Sequence, residues 1–450
     1  MKIFSARRPA IRYRGIHLDL KGNQPTDARM LELLDLVAGA RMNAVLAEWE
    51  DTFPWRRYPE LRSPTAYAPE FVRRMQDRCE KFGIEIIPLV QCFGHSENIL
   101  SRKRFRHLRE VPDNVAEFCP SNPGSASLVI ELVDDVLALM GDRVKRFHLG
   151  GDEAWHMGSC PRCRKLVKKI GKDRLYLQHV TPILRYLEWR GVRPILWDDM
   201  MRKWPAKALS EMARRSDLMA WSYDAKPVRK GKSFLTETHL ANHRSAGVTV
   251  WAGSAYKGAE GPFADIPDPA TRVPNNGEWA KMCRRYGIKG MIATAWSRYD
   301  TFLAPCETIE ASLDMLVAAG AAMWDGKLPK DATEQSRRWL SRWKGGREGR
   351  RFDRCHGAAA ALQEWVKGFQ EWSLDGAERA AHLVGEPDRV NPAVVRRNLR
   401  NIAGQLRGGR RLGVRFIAAH RGLIPDRWLR LYVESRILPY ERRFRNLPKR

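Results

Sequence analysis

Long apolar runs are missing from this chain of 450 residues. A membrane-spanning helix needs roughly 18 to 20 consecutive apolar residues, and no stretch of the sequence approaches that length. The N-terminal segment up to Arg14 carries basic side chains but no apolar stretch of signal-peptide length. These absences exclude a spanning segment, and we expect the protein to reside in the cytoplasm.

Cysteine is also sparse, with eight residues in the whole chain. So few do not form the dense disulfide framework of a small secreted protein, and we expect reduced thiols. The one notable spacing is Cys160-Pro161-Arg162-Cys163. A zinc site there would need about two further ligands, and the nearby His156 supplies only one. A surface turn with free thiols is favoured over a metal site, and neither a metal nor a cofactor is predicted.

Acidic residues are outnumbered, because 79 Lys and Arg face 52 Asp and Glu, for a formal net charge of +27. Just over half of this excess falls within residues 331–450, where 27 basic and 13 acidic residues occur. A basic surface attracts polyanions such as nucleic acid or anionic membranes, but an arginine-rich composition gives the same balance without such a partner. Since no homeodomain, zinc-finger or RNA-recognition motif accompanies the charge, a nucleic-acid partner is not favoured.

Apolar runs of strand length alternate with segments of helical apolar spacing, which indicates βα units and a parallel sheet. Eight runs can be counted, near residues 13–20, 44–48, 85–91, 144–150, 193–197, 218–222, 248–251 and 290–296. This pattern predicts an α/β fold, a (β/α)8 TIM barrel over residues 1–326. An open doubly wound sheet is the alternative, but it gathers polar residues around one switch point, and here they follow many strands. Residues 327–450 are Arg-rich with helical spacing and predict a basic α-helical C-terminal region.

Two adjacent carboxylates, Asp152 and Glu153, follow the fourth predicted strand after a pair of glycines. Glycines let a backbone turn sharply and approach a ligand closely, and a TIM barrel presents catalytic groups where its strands end. Neighbouring carboxylates repel each other, so one is expected to keep its proton to a higher pH than the other. The alternative is a solvated pair in the first turn of a helix, but His148 and Trp155 beside the pair favour a ligand site.

Polar and aromatic side chains follow the other predicted strands as well. A tryptophan ends each of the last four, and this recurrence favours an aromatic-walled sugar pocket over core packing alone. The candidate pocket residues are Arg14, Asp19, Glu48, Glu50, Asp51, Gln91, His95, Glu97, Trp197, Asp198, Asp199, Trp221, Ser222, Tyr223, Asp224, Trp251, Trp296, Ser297, Arg298, Tyr299 and Asp300.

These motifs resemble those of glycoside hydrolase family 20, the β-N-acetylhexosaminidases. The run from His148 to Glu153 is similar to the family's H-x-G-G-D-E signature. The run RGIHLD that begins at Arg14 resembles its first-strand motif, and Phe93-Gly94-His95 resembles its third-strand P-G-H with Phe93 in place of proline. Segments 50–55 and 88–95 look most like the hexosaminidase D subgroup and its bacterial relatives. The resemblance spans roughly residues 10 to 325.

The resemblance implies roles for individual residues. Glu153 would be the general acid that protonates the leaving oxygen and then the base that activates water, and Asp152 would accept a hydrogen bond from the substrate's acetamido N–H. No protein nucleophile is then needed, because the substrate's own acetamido oxygen attacks the anomeric carbon. Arg14 would bind ring hydroxyls and Tyr223 the acetamido oxygen. The implied walls of the pocket are Trp197, Trp221 and Trp296.

Further residues are expected to support the pair. His95 would couple to the acid through a hydrogen bond, with Asp51 or Glu50 orienting it, and His148 is counted as a supporting residue. One departure concerns the last strand, after which the family commonly has W-x-E. This chain has Arg298 at the third position, so the preference between the gluco and galacto epimers stays open.

The expected function is exo-acting hydrolysis of terminal β-linked N-acetylglucosamine or N-acetylgalactosamine, with retention, from a small carbohydrate or glycoconjugate substrate. Two alternatives from other classes stay open. One is a non-catalytic carbohydrate-binding barrel, and the other is a polyanion-binding protein that acts through its basic C-terminal region. The sequence also leaves open whether the protein forms a homo-oligomer.

Overall fold

A computed structural model of the chain describes residues 3–261, 264–298, 301–369, 371–381 and 392–447. Eight parallel strands close into a barrel, since each pairs with the next and the eighth pairs with the first. Their bounds are β1 (Tyr13–Asp19), β2 (Ala44–Glu48), β3 (Glu85–Leu89), β4 (Arg146–His148), β5 (Arg193–Trp197), β6 (Asp217–Trp221), β7 (Val250–Lys257) and β8 (Gly290–Ala295). The predicted TIM barrel is confirmed, and ring closure excludes the open sheet.

Helices lie between successive strands on the outside of the barrel, and a last one follows β8. They are α1 (Asp27–Gly39), α2 (Pro69–Lys81), α3 (Glu97–Leu100), α4 (Pro123–Met140), α5 (Pro161–Ile170), α6 (Lys172–Trp189), α7 (Ala206–Arg215), α8 (Glu237–Ser245), α9 (Pro269–Tyr286) and α10 (Leu313–Asp325). Their apolar residues recur every three or four positions, and that stripe is the face they bury against the strands. In α4, for example, Leu128, Leu132 and Val136 are all buried. None of the described helices combines the length and apolar content that a bilayer crossing demands.

The inside of the barrel is filled by alternate residues of its strands, as the period of two along a strand requires. These inward side chains are Ala44, Leu46, Ile87, Leu89, Ile195, Trp197, Met219, Trp251 and Ile292. Trp251 packs on Tyr13 with ring centroids 5.3 Å apart and donates a hydrogen bond to Asp217. Tyr13 and Asp217 are the first residues of their strands, so Trp251 lies at the amino-terminal end of the barrel, away from the carboxyl ends of the strands. The prediction that Trp251 lines the pocket was wrong.

Five more helices follow α10: α11 (Ala332–Leu340), α12 (Arg347–Gly368), α13 (Glu371–Ala381), α14 (Pro392–His420) and α15 (Asp426–Arg445). The helical C-terminal region is thus confirmed. Helices α12, α14 and α15 share a cluster with Ala311 of the barrel. Arg29 on α1 also pairs with Glu310 and with Glu348 on α12, each at 2.7 Å. The boundary between the barrel and this C-terminal region at residues 326 and 327 stays a prediction.

Candidate active site

The chain turns sharply where β4 ends, and two glycines make this turn. Gly150 and Gly151 have φ angles of 61° and 83°, a region that side chains strongly disfavour. A Cβ on Gly150 would lie 1.7 Å from the Gln91 side chain, and one on Gly151 would lie 2.4 Å from the hydroxyl of Tyr176. The turn delivers the next residue, Asp152, to the mouth of the barrel.

His95 lies between the two adjacent carboxylates. Its Nε2 is 3.2 Å from Glu153 Oε2 and 3.5 Å from Asp152 Oδ2. Burial lowers the pKa of His95, but the charge and hydrogen bonds of Asp152 and Glu153 outweigh it and raise that pKa well above its usual range. This arrangement therefore favours the protonated form of His95, whose Nε2–H faces both carboxyl groups. The third-strand and fourth-strand motifs of the sequence meet in this contact.

His95 and Glu153 both have left-handed backbone conformations, with φ angles of 52° and 50°. For residues other than glycine this costs roughly 1 to 2 kcal/mol each. Gly94 allows close approach of the two loops, because a Cβ there would lie 2.2 Å from the Asp152 carbonyl oxygen. Strain and tight packing thus coincide at the carboxylate pair.

Asp199 lies at the end of β5 and was one of the candidate pocket residues, but the sequence did not indicate its role. Its Oδ2 accepts the backbone N–H of Glu153 at 3.1 Å, and its Oδ1 accepts the indole N–H of Trp221 at 3.3 Å. Burial, and then the charge of Asp152, raise the pKa of Asp199 to about 7. The signal in the sequence was a second carboxylate pair after a strand. Its first member, Asp198, is instead engaged by the buried Arg202 at 2.6 Å.

A cavity of about 470 Å³ opens over the pair. The rings of Trp221 and Tyr223 stack with centroids 5.1 Å apart, and Trp296 lies 6.3 Å from Tyr223. Burial raises the pKa of Tyr223, so its hydroxyl keeps its proton. The cavity is lined by Lys21, His95, Asp152, Glu153, Trp221, Ser222, Tyr223, Asp224, Phe234, Gly258, Ala259, Trp296 and Arg298.

Trp197 and His148 lie beneath this cavity and do not line it. Trp197 is 1% exposed and belongs to the barrel interior. The prediction that it forms part of the pocket wall is therefore corrected, because it lies in the layer of side chains below the cavity. His148 packs on Trp197 with centroids 4.4 Å apart, and its Nδ1 accepts the Gly150 N–H at 3.0 Å. Burial, and then the neighbouring His17, lower the pKa of His148 to about 3. A neutral His148 thus braces the glycine turn.

Arg14 does not reach the cavity, and the prediction that it binds sugar hydroxyls is corrected. Its guanidinium donates to the carbonyls of Ile11, Arg12 and Arg41, each at 2.8 Å, and lies 5.1 Å from the ring of Trp324. Arg14 is the second residue of β1, and strands that all run in one direction place their first residues at the end of the barrel away from the site.

Two cationic side chains other than Arg14, those of Lys21 and Arg298, line the cavity. The ammonium of Lys21 lies 2.8 Å from Glu48 Oε1, 3.3 Å from Asp19 Oδ1 and 5.7 Å from the Trp296 ring. Arg298 approaches it from the loop after β8. Lys21 lies two residues after the end of β1. This position just after a strand is the feature of the sequence that could have marked Lys21 as a pocket residue.

The predicted partner of His95 is not found at Asp51 or Glu50. Burial, partly offset by the charges of Arg298 and Lys21, raises the pKa of Asp51 to about 6. Glu50 accepts a hydrogen bond from Thr301. Within the described part of the chain, neither carboxylate forms a hydrogen bond or ion pair with His95. The sequence-predicted pocket residues Tyr299 and Asp300 lie outside the described residues.

Potential metal ligands gather outside this cavity. They surround Cys160 and Cys163 at the start of α5.

Known proteins share sequence motifs and the fold with this chain. Residues 11–236 match the family described as glycosyl hydrolase family 20, catalytic domain. Hexosaminidase D of Homo sapiens is 31% identical over 326 residues, which are 70% of this chain and 66% of the human protein. Hexosaminidase D of Bos taurus is 29% identical over 336 residues, which are 72% of this chain and 96% of the bovine protein. The chain thus spans just under two thirds of the human relative's length.

Solved structures share the fold. The β-N-acetylhexosaminidase of Bacteroides fragilis superposes with a TM-score of 0.56 at 18% identity, over 75% of this chain and 71% of that protein. The chitobiase of Flavobacterium johnsoniae superposes with a TM-score of 0.57 at 16% identity, over 98% of this chain and 74% of that protein. The family match covers half of the sequence and includes the loop that carries Asp152 and Glu153. This chain therefore belongs to glycosyl hydrolase family 20.

Proposed function

We propose that the protein is an exo-acting β-N-acetylhexosaminidase, which removes terminal β-linked N-acetylglucosamine or N-acetylgalactosamine from a small carbohydrate or glycoconjugate. The observation that carries the proposal is the position of Asp152 and Glu153 on one wall of an aromatic cavity, with His95 between them. The base of the cavity is closed by the packed barrel interior, and a closed base favours attack at a chain end.

Adjacent carboxylates restrict the mechanism. An acid and a protein nucleophile in a retaining glycosidase stand roughly 5 Å apart on opposite sides of the scissile bond, and an inverting pair stands farther apart. Asp152 and Glu153 are neighbours in sequence and approach the same ring nitrogen, Nε2, of His95. Substrate assistance fits this arrangement, because the nucleophile is then the acetamido oxygen of the sugar.

The proposed reaction has two steps. In the first, the acetamido oxygen bonds to the anomeric carbon, the glycosidic bond breaks, and protonated Glu153 transfers its proton to the departing oxygen. Asp152 accepts the acetamido N–H and stabilises the positive charge that develops on the ring of the intermediate. In the second step Glu153 takes a proton from water, whose oxygen bonds to the anomeric carbon as the acetamido oxygen leaves. The anomeric configuration is retained.

The surrounding residues position these groups. Tyr223, which keeps its proton, donates to the acetamido oxygen and aligns it for attack. Asp199 fixes the backbone of Glu153. The cation of His95 holds both carboxylates in one orientation. Lys21 and Arg298 present charged donors to the ring hydroxyls in place of Arg14, while Trp221 and Trp296 offer apolar faces to the ring.

Three aryl glycosides test the proposal on the intact protein: the β-N-acetylglucosaminide, the β-N-acetylgalactosaminide and the plain β-glucoside. We expect hydrolysis of at least one of the first two and none of the third, which lacks the internal nucleophile. Cleavage of the plain glucoside at an equal rate would exclude substrate assistance. Absence of hydrolysis of all three, with sugar binding retained, would favour the non-catalytic barrel.

The basic C-terminal helices do not by themselves favour a polyanion partner. Several of their arginines are engaged by acidic residues of the same chain, including Arg410 with Glu441 and Arg436 with Asp265. Cytoplasmic residence stays a prediction that cell fractionation would test, and sedimentation would determine the oligomeric state.

A further inference from the structure

Four potential metal ligands converge at one end of α5, outside the cavity of the proposed enzyme. Glu110 and Cys119 come from the connection between β3 and α4, while Cys160 and Cys163 begin α5. One ligand atom from each lies within 4.8 Å of all the others. The sequence offered only the Cys160 and Cys163 spacing, because the other two ligands are about 40 or more positions away.

Local structure brings the distant pair together. Arg109 and Phe118 form an antiparallel bridge, and the Cys119 N–H donates to the carbonyl of Leu108 at 2.7 Å. This short loop puts Glu110 and Cys119 side by side. The loop then packs on the start of α5, where Cys163 is fully buried.

The sulfur separations match the edges of a metal tetrahedron. Cys119 Sγ lies 3.7 Å from Cys160 Sγ and 3.7 Å from Cys163 Sγ. Tetrahedral Zn²⁺ with Zn–S bonds of about 2.3 Å places its sulfurs about 3.8 Å apart. A disulfide, by contrast, requires about 2.05 Å. Three sulfurs at one point leave a thiol over in any disulfide pairing, whereas a metal ion uses all three.

Glu110 gives independent support for a cation. It is 1% exposed, and its Oε1 accepts the N–H groups of Gly158 at 3.1 Å and Cys160 at 2.9 Å. Among the described residues no N–H or O–H group donates to its buried Oε2, and the carboxylate interacts instead with the thiols of Cys119 and Cys163. A thiol is a weak donor, so a buried carboxylate oxygen in this place costs free energy, and a metal ion bound to it would remove that cost.

Nearby polar groups would offset the negative charge of three metal-bound thiolates. The Cys163 N–H donates to Cys160 Sγ at 3.3 Å at the positive end of α5, and Arg162 Nη2 lies 4.0 Å from Cys119 Sγ. Ser121 Oγ contacts both Cys119 Sγ at 3.3 Å and Cys163 Sγ at 3.1 Å.

His156, the additional ligand that the sequence suggested, is engaged elsewhere. Its Nδ1 lies 2.7 Å from Glu117 Oε1 and 2.8 Å from Asn114 Nδ2. It does not belong to the four-residue cluster.

We propose that Glu110, Cys119, Cys160 and Cys163 bind one zinc ion. Thiolates select zinc over magnesium or calcium, and four protein ligands leave no open position, so the site is structural. The ion would join the loop after β3 to the loop after β4. The second loop carries Glu153 seven residues before Cys160, and the site would hold the active-site loop at its far end.

The first test measures the metal content of the intact chain by inductively coupled plasma mass spectrometry, after purification without a chelator. We expect about one zinc ion per chain. After exchange, Co²⁺ should produce thiolate charge-transfer bands and the intense visible bands of a tetrahedral site. Neither measurement requires a variant or any activity, so their outcome is distinct from that of the hydrolysis assays.

A matched pair of variants locates the site. Cys160→Ala removes a half-buried ligand and should reduce zinc to less than about one tenth of the wild-type content, while Cys160→His should retain it. Cys283→Ala removes a buried thiol on α9 and should leave zinc unchanged. The proposal is overturned if the intact wild-type chain carries no stoichiometric zinc and fails to take up cobalt, or if mass spectrometry finds two of these three cysteines joined in a disulfide.

Discussion

The backbone N–H of Glu153 donates a hydrogen bond of 3.1 Å to the carboxylate of Asp199. This contact joins the loop after β4 to the end of β5, and it holds Glu153 in a backbone conformation that few residues other than glycine adopt. The proposed acid is therefore positioned by a neighbouring strand as well as by its own loop.

The titration of Asp199 gives a prediction for stability. Unfolded chains ionise aspartates near pH 4, whereas the pKa of Asp199 in the folded protein is raised to about 7. Between these values the folded state holds a proton that the unfolded state has lost, so stability falls as the pH rises through this window. Asp199→Asn abolishes this titration and keeps an oxygen that accepts from Glu153.

Urea unfolding at about pH 5 and about pH 8 measures this effect. We expect the stability of Asp199→Asn relative to wild type to increase by roughly 1 to 3 kcal/mol from the lower pH to the higher. Asp142→Asn, at an exposed position, should give a difference that does not change with pH. An equal difference for Asp199→Asn at both pH values would contradict a carboxyl group that titrates near neutrality.

Removal of either carboxylate should abolish most turnover. We expect Asp152→Asn and Glu153→Gln to lower kcat by about 100-fold to 10,000-fold, with thermal unfolding little changed. The loss in Glu153→Gln should be smaller for an aryl glycoside with an acidic phenol, because that leaving group needs less protonation. Glu188→Gln, on the exposed face of α6, serves as control. Equal losses across a series of leaving groups would argue against Glu153 as the acid.

The two cations near β1 should differ in what they affect. Lys21→Met removes a charge from the cavity and should raise KM by about tenfold or more, and Lys21→Arg should recover part of the loss because it keeps a cation. Arg14→Met should lower stability, since three backbone carbonyls, of which one is fully buried, lose their donor, but leave KM within about twofold. A rise in KM for Arg14→Met equal to that for Lys21→Met would restore the role predicted from the sequence.

Gly94 should be essential for the position of Asp152. In Gly94→Ala the added Cβ would meet the Asp152 carbonyl oxygen at 2.2 Å, and this oxygen belongs to the backbone and has little freedom to move. We expect kcat to fall by about 100-fold, together with a loss of stability. Gly357→Ala on α12, where a Cβ meets open space, should be neutral or slightly stabilising. Full activity of Gly94→Ala would mean that the loops adjust more easily than their packing indicates.

The barrel, the C-terminal helices and the loop with the carboxylate pair could all be predicted from local features of the chain. The spacing of apolar residues that distinguishes a strand from a helix is a property of consecutive residues, as in α4. The glycines that turn the chain before Asp152 likewise lie in the same segment as Asp152. Features of this kind can be predicted from the sequence without knowing which segments contact each other in the fold.

Local features did not indicate which side chains share the cavity, because that depends on how distant segments pack. Arg14 and Lys21 are seven positions apart in the chain, yet the direction of β1 places them at opposite ends of the barrel. Asp199 reaches Glu153, and Glu110 and Cys119 reach Cys160, across gaps that no local pattern spans. Trp197 resembled the pocket tryptophans in the sequence, but strand alternation and barrel closure buried it beneath them. Contacts of this kind depend on how strands and loops pack, and packing is a property of the whole fold.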